Sequence, residues 1–404
     1  MVKNVVVVND FAYINGGAGK VAIMSAIALA EKGLNVLFFC GSSADKICEE
    51  LRLSKVKIVT TNQDDITSGN KLKGICQGLY NKKATQELYN LLKTLDPRET
   101  VVHFHAWSKI LSTSIFIATK KAKVPAIITG HDYGTVCPNG CFFDFREEKI
   151  CTCKPNGMAC IMKNCDKKSY LYKAFRIVRQ ILNRLYISHN NLHYIFISQF
   201  SRNVIKKSLA WPIQEQFVIN PSEVERIAVS DVCNNEEYIF IGRVSQEKGI
   251  PTFCEAMKCK GNKGIVIGDG PVYEQLKRKY PMVRFVGWKN SDEIVEYALK
   301  ARALIFPSIW YEAAPLTIPE VMGKFALPCV VSDLCAGQDY ITDGFNGYVF
   351  KGGDVQSLIE KLDKLNKNLQ TIQNNIINTF DGRMYSNSVH ADNLIKEYNK
   401  ILSK

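Results

Sequence analysis

Two carboxylates, Glu312 and Glu320, lie with seven residues between them where an apolar run, Ala303–Phe306, leads into a helical stretch. The apolar run predicts a buried parallel strand, and ligands bind where such a strand passes into a helix. Backbone N–H groups at a helix N-terminus bind anions, and the stretch that offers them here is Ala313, Ala314, Pro315 and Leu316. A carboxylate, several amides and a second carboxylate suit a sugar, a pyrophosphate and a ribose in that order.

The same residues allow a purely structural interpretation. Thr317 and Glu320 have the spacing of a capping box, in which Glu320 reaches back to the N-cap amide, and Pro319 fits the first helical turn. A capping role alone accounts for Glu320, so both interpretations stay open at this point.

Two cations, Arg243 and Lys248, follow the predicted strand Tyr238–Gly242. A diphosphate gains negative charge as it leaves a sugar, and two cations at that point stabilise the transition state without a metal ion. Exposed turn residues are the structural alternative for both. The sequence contains no D-x-D motif, which argues against a metal-bridged diphosphate.

The first half of the chain carries further candidates at the ends of predicted strands. Gly16 and Gly17 follow the strand Val5–Val8, and glycines there let the backbone approach a diphosphate or an acceptor sugar, unless they only form a tight turn. His131 follows the strand Pro125–Thr129 directly, although strand-end histidines are often structural. The glycine-rich turn lacks the residues of a P-loop or a dinucleotide fingerprint.

Buried strands alternate with helical stretches along both halves, which predicts two doubly wound α/β domains facing across a cleft. A length of 404 residues agrees with more than one domain. We expect an N-terminal domain over residues 1–215, a second domain over 216–380 and a C-terminal helical segment over 381–404. The proline-containing segment Trp211–Ser222 is the expected hinge.

Taken together, these motifs resemble the retaining family 4 glycosyltransferases of GT-B fold, over most of the chain and most specifically in its second half. The resemblance rests on the spacing of Glu312 and Glu320, on the pair Arg243 and Lys248, and on the glycine-rich first turn. It implies that Glu312 holds donor sugar hydroxyls and Glu320 holds the ribose. It also implies that the two cations face the donor diphosphate and that His131 lies beneath the donor sugar.

The resemblance extends to Trp288, placed beside the nucleobase, and to Asp269, in a turn like the family's G-x-G-P. It implies that the last helix crosses back to the first domain. The implied function is retaining transfer of a sugar from a nucleotide sugar to a glycan or lipid-linked acceptor, as in bacterial surface polysaccharide synthesis, without a catalytic cofactor. The alternatives are a sugar-nucleotide epimerase of the same fold and a zinc protein that binds nucleic acid through its charge. Base-reading motifs are missing, so no nucleic acid partner is expected.

Six of the 14 cysteines cluster in an irregular insert over residues 137–165: Cys137, Cys141, Cys151, Cys153, Cys160 and Cys165. Thiolates at short spacings around turns are typical of a structural zinc site, so we expect four of these six to bind Zn²⁺. Free thiols in a lid loop and an iron–sulfur site are the alternatives that the spacing leaves open.

Charge and hydropathy indicate where the protein acts. The net charge is +13, with 52 Lys and Arg against 39 Asp and Glu, which favours an anionic partner such as a nucleotide or a membrane surface. The stretch Lys167–Tyr186 predicts a basic amphipathic helix, either on an anionic bilayer or in a domain with its apolar stripe in the core. No apolar run suits a spanning helix or a signal peptide, so we expect a cytoplasmic protein, peripheral at the inner membrane face.

Overall fold

Strands alternate with helices along both halves of the protein. The computed structural model describes residues 1–187, 192–209 and 213–403. Trp211 and Pro212, at the start of the predicted hinge, lie outside the described residues.

The elements of the first half are, in chain order, β1 (Asn4–Asn9), α1 (Gly17–Glu31), β2 (Asn35–Cys40), α2 (Glu49–Leu53), β3 (Lys57–Thr60), α3 (Lys71–Leu79), α4 (Lys82–Leu92), β4 (Thr100–Ala106), α5 (Phe116–Ala122), β5 (Ala126–Thr129), β6 (Phe143–Asp144), β7 (Lys149–Ile150), α6 (Met158–Met162), α7 (Tyr170–Ile187), β8 (His193–Phe196), α8 (Gln199–Lys206) and β9 (Gln214–Phe217). Those of the second half are β10 (Glu237–Ile241), α9 (Ile250–Lys260), β11 (Lys263–Ile267), α10 (Tyr273–Lys279), β12 (Arg284–Gly287), α11 (Ser291–Leu299), β13 (Ala301–Phe306), α12 (Thr317–Phe325), β14 (Cys329–Ser332), β15 (Gly347–Phe350), α13 (Val355–Thr379) and α14 (Asn387–Leu402).

Each half is built around one parallel β-sheet. Over the described residues, the first sheet has seven strands in the order β3-β2-β1-β4-β5-β8-β9, and the second has six in the order β12-β11-β10-β13-β14-β15. The strand order reverses between β1 and β4 in the first domain and between β10 and β13 in the second, as in doubly wound folds. The prediction of two doubly wound domains is confirmed.

The inner strands of both sheets are continuous apolar runs. Val5–Val8 in β1 and Ala303–Phe306 in β13 are buried. A parallel strand covered by helices on both faces needs apolar side chains at consecutive positions. Each sheet consequently has its own hydrophobic core.

The last helix, α14, returns from the second domain and packs on α1. Ser25 Oγ of α1 and His390 Nε2 of α14 lie 2.8 Å apart in a buried contact. The Tyr398 hydroxyl of α14 lies 2.6 Å from His103 Nδ1 in β4. The C-terminal helix therefore contributes to the packing of the first sheet.

The irregular insert after β5 reaches the second domain. It contains the antiparallel pair β6 and β7 and the short helix α6, and it leads into α7. Gln246 of the second domain donates a hydrogen bond from Nε2 to Glu148, in the turn between β6 and β7. The insert thus spans the boundary between the domains.

Within the described part of the chain, no helix is both long enough and apolar enough to cross a membrane.

Candidate active site

A cavity of about 190 Å³ lies between the two domains. It is lined by Gly17 and His131 from the first domain, and by Glu312 and the residues that precede α12 from the second. Gly17 follows β1 and Glu312 follows β13, and both strands border the reversal of strand order in their sheets. Ligands of doubly wound domains bind at these reversal points. The structure therefore brings together predicted residues that are far apart in sequence.

Lys248 and Glu312 form an ion pair at this site. Lys248 ends the 3-10 helix Gln246–Lys248 after β10, and its Nζ lies 2.6 Å from Glu312 Oε1. Glu312 Oε2 accepts hydrogen bonds from Ser308 Oγ at 3.0 Å and from Trp310 Nε1 at 3.4 Å. The side chains of the ion pair are 14% and 18% exposed. The protein itself thus fixes the positions of the cation and the carboxylate.

Gly249 allows the loop that carries Lys248 to lie against the end of β13. Its backbone φ is +65°, and a Cβ at this position would lie 1.9 Å from the Pro307 carbonyl oxygen. Close by, the Ile309 N–H donates to the Glu247 carbonyl at 3.0 Å. Only glycine tolerates both the left-handed conformation and the close contact, so the ion pair depends on a glycine at this position.

The residues that precede α12 line the cavity. Ala313, Ala314 and Leu316 do so, whereas Pro315 is not a lining residue and carries no N–H. The Ala313 carbonyl accepts a hydrogen bond from Ser198 Oγ at 2.5 Å, which ties this turn to the first domain. A helix N-terminus combines N–H groups without intrahelical partners with partial positive charge. This turn is therefore suited to a phosphate group.

Glu320 does not cap α12, so the capping-box alternative is wrong. The N-cap residue is Leu316, which has helical backbone angles and makes no capping side-chain bond. Glu320 Oε1 instead accepts a hydrogen bond from Ser222 Oγ at 2.8 Å and lies 3.8 Å from Lys20 Nζ of α1. The carboxylate thus lies between the domains, although Glu320 does not line the cavity.

His131 lines the cavity beside a second histidine, His105. His131 Nε2 and His105 Nδ1 lie 2.8 Å apart. Desolvation lowers the pKa of His131 to about 3, and burial lowers the pKa of His105 well below its usual value. Both imidazoles are therefore neutral at pH 7, and one donates to the other. His105 Nε2 has no hydrogen-bond partner among the described residues.

Arg243, Asp269 and Trp288 lie outside the cavity, at the carboxyl ends of neighbouring strands. They follow β10, β11 and β12 in turn, and all three are exposed, Trp288 to 72%. Because these strands are adjacent, the three residues form a row on the same sheet edge as Lys248. Gly16 is the exposed N-cap of α1, with φ +151°. The predicted site thus divides into a cavity and an exposed edge.

The cysteines of the insert do not form the predicted zinc site. Among the described residues, no group of three or more His, Cys, Asp or Glu side chains is arranged to hold a metal ion. Cys165 Sγ accepts a hydrogen bond from Lys173 Nζ at 2.7 Å, and Cys137 Sγ donates to Asn139 Oδ1 at 3.1 Å. The structure does not support zinc binding by the six thiols, which are all free: Cys137, Cys141, Cys151, Cys153, Cys160 and Cys165.

Sequence reasoning did not propose Lys20, His105 or Ser222 as site residues. His105 alternates with apolar residues at a strand end, and Lys20 follows the glycine-rich turn, so each carried a weak signal. Ser222 carried none, because its contact with Glu320 joins residues 98 positions apart.

Two parallel-sheet α/β domains with a site between their carboxyl edges define the GT-B fold, and solved structures confirm it. The protein is similar to Anabaena HepE in complex with UDP, with a TM-score of 0.68, 15% identity and coverage of 99% of this chain and 100% of that one. It is also similar to sucrose-phosphate synthase from Thermosynechococcus elongatus, with a TM-score of 0.70, 14% identity and 99% coverage of each chain.

Sequence comparison adds a family match in the second domain. Residues 227–379 match the family model of the glycosyl transferases group 1. The chain is 24% identical over 198 residues to the Escherichia coli UDP-Gal:alpha-D-GlcNAc-diphosphoundecaprenol alpha-1,3-galactosyltransferase, covering 45% of this chain and 48% of that one. It is 23% identical over 174 residues to the Salmonella typhimurium lipopolysaccharide 1,6-galactosyltransferase, covering 40% of this chain and 48% of that one. The chain thus matches about half the length of these curated relatives.

Proposed function

We propose that the protein is a retaining family 4 glycosyltransferase that transfers a sugar from a nucleotide donor to a glycan or lipid-linked acceptor. The observation that carries this proposal is the Lys248–Glu312 pair, whose carboxylate lines a cavity shared with His131 of the other domain. A cation stabilises the charge that develops on the leaving diphosphate, and the resemblance to family 4 assigns the carboxylate to the hydroxyls of the donor sugar. The match of residues 227–379 to the glycosyl transferases supports the same assignment.

In the proposed reaction, the bond between the anomeric carbon and the diphosphate oxygen breaks as negative charge develops on the leaving group. Lys248 neutralises that charge, and Arg243 adds a second cation from the same sheet edge. The acceptor oxygen bonds to the anomeric carbon on the face that the diphosphate leaves, and its proton passes to a phosphate oxygen. This course retains the anomeric configuration and uses neither an enzymic nucleophile nor a metal ion.

Donor recognition in this proposal is divided between the two domains. Glu312 accepts hydrogen bonds from hydroxyls of the donor sugar, and the neutral imidazole of His131 contacts the sugar from the first domain. N–H groups before α12 bind phosphate oxygens. Glu320 accepts hydrogen bonds from the ribose hydroxyls beside Ser222, and the exposed indole of Trp288 stacks on the nucleobase.

We further propose a lipid-linked acceptor and action at the inner face of the membrane, in surface polysaccharide synthesis. The Escherichia coli relative is named for a UDP-linked donor and an acceptor on diphosphoundecaprenol, and HepE was solved with UDP. The net charge of +13 favours an anionic membrane surface. A UDP-sugar is therefore the first donor to test.

A thermal-shift panel of UDP-, GDP-, ADP- and dTDP-sugars tests the donor assignment. A ligand that binds only the folded state raises the melting temperature, so the cognate donor should stand out from the other three. The shift should be smaller in Lys248→Met and Glu320→Gln than in the wild type. The absence of any response across the panel contradicts the proposed function.

Transfer is then measured with the responding donor and lipid-linked glycan acceptors in the presence of EDTA, and NMR of the product gives its anomeric configuration. A retained anomer formed in EDTA supports the mechanism. An inverted anomer, or activity that EDTA abolishes and Mg²⁺ restores, contradicts it. A donor that isomerises without any gain in acceptor mass favours a sugar-nucleotide epimerase instead.

A further inference from the structure

Helix α7 packs with its polar side toward the protein. Its buried residues include Lys173, Gln180 and Asn183. Its exposed residues include four large apolar ones: Leu171, Val178, Ile181 and Leu185. These four recur at intervals of seven, three and four residues, so they share one face of the helix. The structure thus excludes the interpretation in which this amphipathic helix buries its apolar stripe in the domain core.

Hydrogen bonds from the buried side chains fix this orientation. Gln180 Nε2 donates to the Thr135 carbonyl at 2.6 Å, and Asn183 Oδ1 accepts from a buried threonine hydroxyl. Lys173 Nζ donates to Cys165 Sγ at 2.7 Å. Turning the helix over would bury its aliphatic side chains but would leave the Thr135 carbonyl and the threonine hydroxyl buried without their partners. Buried polar groups without partners are costly, so the outward stripe belongs to the folded state.

Two helices that contact α7 also carry exposed apolar side chains. Met158 and Met162, one turn apart on α6, are 74% and 72% exposed, and Leu72 and Ile75 are exposed on α3. The Tyr170 hydroxyl of α7 donates to a carbonyl of α6 at 2.9 Å, and α3 contacts α7 directly. We call the following eight residues the apolar surface: Leu72, Ile75, Met158, Met162, Leu171, Val178, Ile181 and Leu185.

Positive charge accompanies the apolar surface. From Lys154 to Ile187 the sequence has eight basic residues and one acidic residue, Asp166. Five exposed lysines lie on the same three helices or just before them: Lys71, Lys73, Lys154, Lys167 and Lys168. We propose that the apolar surface docks on an anionic lipid bilayer, with its aliphatic and methionine side chains at the acyl boundary and the lysines among the headgroups.

The composition of the surface favours a bilayer over a protein partner. The cores of protein interfaces are depleted in lysine, whereas five exposed lysines accompany this surface. A second copy of the chain would bring two positively charged surfaces together, which opposes association. An anionic bilayer matches the apolar and the charged residues at once. This inference does not depend on the proposed transferase activity.

Co-sedimentation of the full chain with phospholipid vesicles tests the docking. The variant Ile181→Glu/Leu185→Glu should bind vesicles that contain phosphatidylglycerol about tenfold more weakly than the wild type. The matched control is Ile227→Glu/Met282→Glu in the second domain. Its two side chains are 55% and 48% exposed, against 48% and 53% for Ile181 and Leu185. The control should bind as the wild type does, and melting temperatures verify that both variants fold.

Lipid composition and salt concentration provide a second test of the docking. Wild-type binding should weaken on pure phosphatidylcholine vesicles and as the salt concentration rises. The proposal is overturned if the wild type does not bind phosphatidylglycerol vesicles, or if the two double variants bind them equally. It is also overturned if gel filtration without lipid shows a dimer that Ile181→Glu/Leu185→Glu alone dissociates, because a second copy is then the occupant.

Discussion

Replacing Lys248 with methionine should lower kcat of the proposed transfer about a hundredfold or more, because one preorganised charge-stabilising group contributes about 3 kcal/mol to the transition state. Lys248 meets that condition, since its Nζ lies 2.6 Å from Glu312 Oε1 and its side chain is only 14% exposed. Arg243 remains in the variant on the same sheet edge. The loss should therefore be large but incomplete.

The same substitution should also lower stability, by an amount between those of exposed and buried ion pairs. An exposed pair contributes up to about 1 kcal/mol, and breaking a buried pair costs about 3–5 kcal/mol. Glu312 keeps its hydrogen bonds from Ser308 and Trp310, so we expect the free energy of unfolding to fall by about 2 kcal/mol. In a double-mutant cycle with Glu312→Gln, the double variant should lose less stability than the sum of the losses in the two single variants.

Both effects are measured on the wild type, the two single variants and the double variant. Initial rates at saturating donor give kcat, and urea unfolding gives the free energy of unfolding. The control, Lys263→Met, removes a pair of the same length in the same domain, 2.6 Å to Glu236, in which the side chains are 67% and 68% exposed. It should change neither quantity measurably, because such exposed pairs are screened by solvent. A Lys248→Met protein with wild-type kcat would refute the charge-stabilising role of Lys248, whatever its stability.

Three further predictions concern other parts of the molecule. Glu320→Gln should weaken donor binding about tenfold, which a smaller thermal shift would show. The control is Glu223→Gln, because the Glu223 carboxylate also lies near Lys20 Nζ, at 4.0 Å, and this variant should bind the donor as the wild type does. Equal effects of the two substitutions would contradict a contact between Glu320 and the ribose. Trp288→Ala should weaken donor binding about threefold to tenfold. It should not lower the melting temperature, because the indole is 72% exposed. An unchanged donor affinity would exclude stacking of the indole on the nucleobase. Burial lowers the pKa of His390 from 6.5 to about 4, so the unfolded chain gains a proton first as the pH falls. Through His390 alone, stability should therefore drop by roughly 2 kcal/mol between pH 7 and pH 5, in addition to the losses from the other buried histidines. Urea unfolding of His390→Asn at each pH should lack the His390 contribution.

The inner strands of both sheets were predictable, but two strands at the edge of the first sheet were not. β1 and β13 contain the apolar runs Val5–Val8 and Ala303–Phe306 because neighbouring strands and helices cover them on every side. β3 and β9 pair with one strand only, and β9 reads QEQF with half-buried and exposed residues in alternation. An edge strand needs less apolar surface, so hydropathy alone does not separate it from a loop.

Positions at strand ends could be identified from sequence, but the contacts between them could not. The Lys248–Glu312 pair joins residues 64 positions apart, and the His105–His131 pair joins residues 26 apart. Local patterns carry no information about such contacts. The cysteine insert illustrates the same limit, because no local pattern indicates that Cys165 accepts a hydrogen bond from Lys173.

The buried side of α7 supports the segment that carries His131. Gln180 donates to the Thr135 carbonyl, four residues after His131, and the Arg176 guanidinium donates to the Asn139 carbonyl at 3.2 Å in the same segment. The apolar surface and the cavity therefore belong to one packed unit, joined through the polar residues of α7. When α7 lies on a bilayer, this unit holds the cavity at a fixed distance from the lipid headgroups. If the docking and the lipid-linked acceptor are both as proposed, the outward-facing stripe has a role in the reaction, because it positions the cavity relative to the membrane that carries the acceptor.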